Sequence, residues 1–83
     1  MRANDVLPDE IDQGEFAGVT VRKGSVGAFL ANARILADPD ASAAERALAE
    51  RDLIELLPAL RAIGLFEVFE IRNPALRDFV AAH

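Results

Sequence analysis

Residues Ser42–Gly64 read SAAERALAERDLIELLPALRAIG, and their spacing decides the fold class. Ser42 followed three positions on by Glu45 makes a capping box. The serine hydroxyl accepts from the N–H three residues on, and the glutamate reaches back to the Ser42 N–H. Behind that start, Ala49, Leu53, Leu56, Leu60 and Ile63 recur three and four residues apart, which is one face of a helix. Ile54 and Leu57 flank this stripe, and Arg51 and Glu55 stand i,i+4 on the outer face. Pro58 has no N–H and its ring crowds the preceding turn. The pattern therefore predicts a helix from Ala43 to at least Leu57 that kinks at Pro58, or stops and restarts there. Gly64 is a natural left-handed terminator.

Working outward, the segment before this helix predicts another. Val26, Phe29, Leu30, Ala33 and Ala37 lie on one helical face, which Ile35 and Leu36 extend. Ser25 stands where an N-cap belongs. Asp38-Pro39-Asp40 ends the helix, because Pro39 disfavours helical geometry at Asp38. Upstream, Phe16 to Lys23 alternates as a strand does, with Val19 and Val21 on one side and Thr20 and Arg22 on the other. Downstream, Leu65 to Ile71 fits either period, and its two phenylalanines, Val68 and Ile71 tilt it toward a strand. Asn73 as cap and Pro74 at the first helical position open a last helix with Leu76, Phe79 and Val80 as its apolar face. The expected fold is α+β and predominantly helical: one or two short strands, two main helices and a C-terminal helix. Both strands, if formed, would pair with the helices covering one face.

At 83 residues there is room for one domain. Residues 1–15 carry Asp5, Asp9, Glu10, Asp12 and Glu15 against Arg2, so five acids and one base leave −4 of the total −5 there. With Pro8, Gly14 and few apolar anchors, 1–15 is expected to be a flexible acidic arm and 16–83 the folded domain. The alternative for the arm is a docking peptide around Val6-Leu7-Pro8. Hydrophobic residues make up 52% of the chain, enough for a core, although much of that is alanine. The absence of cysteine removes disulfides and thiolate metal sites as a means of stabilising so short a chain. An acidic balance without a basic stripe argues against nucleic acid, and the lack of a polybasic segment argues against an anionic membrane surface. No apolar run approaches a membrane span or a signal-peptide core, so a cytoplasmic location is expected. Eight arginines to one lysine, with abundant alanine, suggest GC-rich bacterial coding.

Residues able to do chemistry are few. His83 is the only histidine and the last residue, and the hydroxyls are Thr20, Ser25 and Ser42, two of them expected as caps. No catalytic constellation, metal site or cofactor motif emerges. Asp38-Pro39-Asp40-Ala41-Ser42 begins like a calcium loop but has Ala43 and Ala49 at the sixth and twelfth positions, where glycine and glutamate are needed. Arg22, Lys23, Gly24, Ser25 and Gly27 form a candidate anion site, because a strand leading through glycine into a helix N-terminus presents N–H groups and a favourable dipole. It is neither a P-loop nor a dinucleotide fingerprint, and a plain capped junction explains the same residues. Glu67 and Glu70, three apart among large apolar residues, would share a face in a helix and could act as a carboxylate pair, or else are solvated flanking charges. Arg34, Arg46, Arg51, Arg61, Arg72 and Arg77 are spread singly and read as a solvent face.

Val19-Thr20-Val21-Arg22-Lys23-Gly24-Ser25-Val26, running into Phe29-Leu30-Ala31-Asn32, resembles short bacterial proteins grouped as a domain of unknown function. Those proteins carry V-T-L, then a G-T-V or G-S-V junction, then a helix with L-x-N. Leu57-Pro58-Ala59-Leu60 and Gly64-Leu65-Phe66-Glu67-Val68-Phe69 are similar to their P-x-L, G-L-F and L-F pattern, and Asn73-Pro74 and Phe79-Val80 to their closing N-P and F-V. The chain lacks their longer turn before the junction and the proline- and tryptophan-containing stretch after Phe69. The resemblance implies no reaction, cofactor or ligand. More apolar residues are present than a body of this size can bury, which predicts a homodimer or higher oligomer, with an unidentified protein partner as a further possibility. The leading function is thus a non-enzymatic interaction or accessory protein. The alternatives are an anion or metabolite binder at Gly24–Gly27 and an enzyme using Glu67 or Glu70.

Overall fold

In the computed structural model, which describes all 83 residues, the chain runs α1 (Ala3–Val6), β1 (Gln13–Phe16), β2 (Val19–Arg22), α2 (Ser25–Ala37), α3 (Ala43–Ala62), α4 (Leu65–Val68) and α5 (Pro74–Ala81). The fold is α+β and predominantly helical, with one antiparallel two-stranded sheet.

Several ends form as the local chemistry dictates. The Ser42 hydroxyl accepts from the Glu45 N–H at 3.1 Å, and α3 starts there. The other half of the capping box is replaced: the hydroxyl itself donates to the Glu45 carboxylate at 3.1 Å. Asn73 accepts from the Leu76 N–H at 3.1 Å with Pro74 opening α5. The first main helix stops at Ala37, and Asp38 is already extended. Gly64, at φ 80°, takes the left-handed conformation after α3.

Three expectations are corrected, and a fourth is narrowed. The strand expected over Phe16–Lys23 is a hairpin: Phe16 ends β1, Val19 begins β2, and Gln13 pairs with Arg22. Its two-residue loop, Ala17-Gly18, has positive φ at both positions, the combination that matches strand twist in tight hairpins. Residues 13–15, assigned to the flexible arm, therefore belong to the sheet. Ser25 is not a cap. Gly24 precedes the helix in a left-handed conformation, and the Ser25 hydroxyl donates backwards to the Arg22 carbonyl at 2.6 Å. Leu65–Ile71 forms no strand: Leu65–Val68 makes one helical turn, followed by extended chain from Phe69. The sheet contains β1 and β2 alone, and this segment pairs with neither. Of the two outcomes expected at Pro58, the stop and restart is excluded, because α3 runs through Pro58 without interruption.

The core lies where α2, α3 and α5 meet. Phe29, Leu53, Leu57, Leu60 and Val80 form its buried cluster, and Leu36, Leu56, Leu65, Phe66, Ile71, Leu76 and Phe79 pack around it. Phe29 meets Phe66 edge-to-face, with centroids 5.8 Å apart, a favoured aromatic geometry. The buried stripe of α3 is Ala49, Leu53, Leu57 and Leu60, so Leu57 takes a place expected for Leu56, which is half-buried, while Ile63 is exposed. On α2, Phe29 is buried but Val26 and Leu30 are exposed. That helix turns only part of its apolar face inward.

Candidate functional site

The uncovered part of α2 does not face open solvent alone. Val26, Leu30 and Ala33 form one wall of an apolar groove of about 460 Å3, and Phe66, Ile71 and Leu76 form the opposite one. Leu30 and Leu76 continue into a neighbouring hollow of about 410 Å3, bordered by Arg34, Arg46 and Glu50. A third hollow, about 300 Å3, is lined by Arg61, Phe69, Arg77 and Val80. Phe66, Phe69, Glu70 and Ile71 line both the first and the third.

The course of the chain through Phe69 is set by local sequence. Gly64 turns the chain out of α3, α4 lasts one turn, and Phe69 is extended at φ −112° and ψ 139°. Val68 and Phe69 consequently keep 80% and 66% of their surface exposed, and Leu30 across the groove keeps 52%. The extended chain is held from behind: Arg77 donates to the Ile71 carbonyl at 3.3 Å and pairs with Glu70 at 3.6 Å. Two further arginines clamp helix ends. Arg46 donates to the carbonyls of Leu36, Asp38 and Ala41, and Arg61 donates to those of Val80 and His83. Arg46, Arg61 and Arg77 are thus structural ties, Arg61 and Arg77 while remaining exposed as expected and Arg46 while half-buried. Their roles depend on carbonyls up to 22 residues away, which spacing along one helix does not reveal.

The candidate anion site is brought together at the β2–α2 junction, but its polar groups are engaged. The Lys23 ammonium donates to the carbonyls of Pro8 at 2.8 Å and Asp9 at 3.0 Å, and Ser25 is tied to Arg22. Arg22 is exposed, and nothing crowds the faces of Gly24 and Gly27. Glu67 and Glu70 fall on different elements, the first in α4 and the second in the extended segment beside Arg77. The termination of α4 at Val68 separates them from the shared helical face that a carboxylate pair required. His83 lies against Phe79, its Nδ1 2.9 Å from the Phe79 carbonyl oxygen. No three His, Cys, Asp or Glu side chains are grouped to hold a metal ion. No helix is long and apolar enough to cross a membrane. Sequence reasoning identified the excess of apolar residues but not where they surface. The signal available was Val68-Phe69, two large apolar residues placed between acidic Glu67 and Glu70.

The chain matches no protein-family model, no curated protein and no solved structure.

Proposed function

We propose that this chain is a small non-enzymatic interaction protein that self-associates. The observation that carries this reading is its surface. The chain exposes 6005 Å2 for a mass of 9.0 kDa, whereas a folded monomer of that mass exposes about 4,900 Å2. Its Cα radius of gyration is 13.7 Å, against about 12 Å for a compact domain of this length. Val26 and Leu30 of α2, and Val68 and Phe69, are among the large apolar side chains left exposed, and exposed apolar patches mark interfaces. Engagement of Lys23 and Ser25 by backbone carbonyls weakens the anion-binding alternative. The exposure of the Glu70 side chain, 84%, weakens the enzymatic one. The acidic balance favours a protein partner over a phosphate backbone, and a cysteine-free chain suits a reducing cytoplasm. The assignment to the short bacterial proteins of unknown function belongs to this same proposal. Light scattering on the eluting peak at micromolar concentration tests it. The expected mass is a multiple of 9.0 kDa, and a mass equal to the single chain overturns the proposal.

A further inference from the structure

We draw no further inference here: the strongest candidate, the apolar groove between α2 and the α4–α5 segment, is an unpartnered face, and nothing in the structure shows what covers it.

Discussion

The guanidinium of Arg46, in the first turns of α3, donates to the carbonyl oxygen of Leu36 near the end of α2 at 3.1 Å. The same side chain reaches the carbonyls of Asp38 and Ala41. One cation thereby satisfies a helix C-terminus, where unpaired carbonyls concentrate negative potential, and fixes the turn into the next helix. Arg46→Met retains the aliphatic stem and deletes every donor. We expect it to destabilise the fold by about 1–3 kcal/mol, the range for losing hydrogen bonds from a charged group. Urea denaturation checks this, and a midpoint equal to the parent's would show that water replaces the arginine at no cost.

Adjacent residues of α3 should differ sharply in their response to truncation. Leu53 is fully buried and belongs to the central cluster, whereas Ile54 is 39% exposed. Leu53→Ala should cost about 2–5 kcal/mol through lost burial and the cavity left behind. Ile54→Ala should cost well under half of that. Comparable losses at both positions would mean that α3 is rotated from the orientation described.

Gly64→Ala should destabilise by about 1–2 kcal/mol, because a Cβ is disfavoured in the left-handed region. The added methyl would also lie 2.9 Å from the Glu67 Oε2 atom, a contact that the flexible carboxylate can relieve by moving. Thermal unfolding of Gly64→Ala beside a Glu67→Ala, Gly64→Ala double variant separates the two. The backbone explanation requires the loss to persist in the double variant.

The Lys23 ammonium ties the Pro8-Asp9 segment to the β2–α2 junction through two carbonyls at the surface. Exposed bonds of this kind contribute little to global stability, so Lys23→Met should move it by less than about 1 kcal/mol. Amide exchange near Ile11 should nevertheless accelerate, because local opening can change independently of global unfolding. Unchanged exchange there would show that the lysine does not hold the segment.

What the sequence by itself determined are the features set by neighbours within one helical turn. Ser42, Asn73-Pro74, Asp38-Pro39 and Gly64 act through their own hydroxyl, ring or missing Cβ on groups three or four residues away, so their effects are readable from order alone. The buried stripe of α3 was legible for the same reason, apart from the exposed Ile63 and the exchange of Leu56 for Leu57, whereas α2 buries Phe29 of its expected face and exposes Val26, Leu30 and Ala37.

Tertiary structure decided the rest. Nothing in Gln13-Gly14-Glu15-Phe16 has a strand's alternation, and Ala17-Gly18 lacks the usual Asn-Gly or Asp-Gly signal. This segment is a strand because β2 offers it backbone partners. Leu65–Ile71 had enough β-branched and aromatic content for a strand, but a strand without a neighbour leaves its N–H and C=O groups unpaired, so a helical turn and extended chain formed instead. Whether Arg46 and Arg61 reach a distant carbonyl, and whether Leu30 and Phe69 are core or groove, depend on which elements pack together. Those contacts join residues far apart in the chain, and their energies have no counterpart in local spacing.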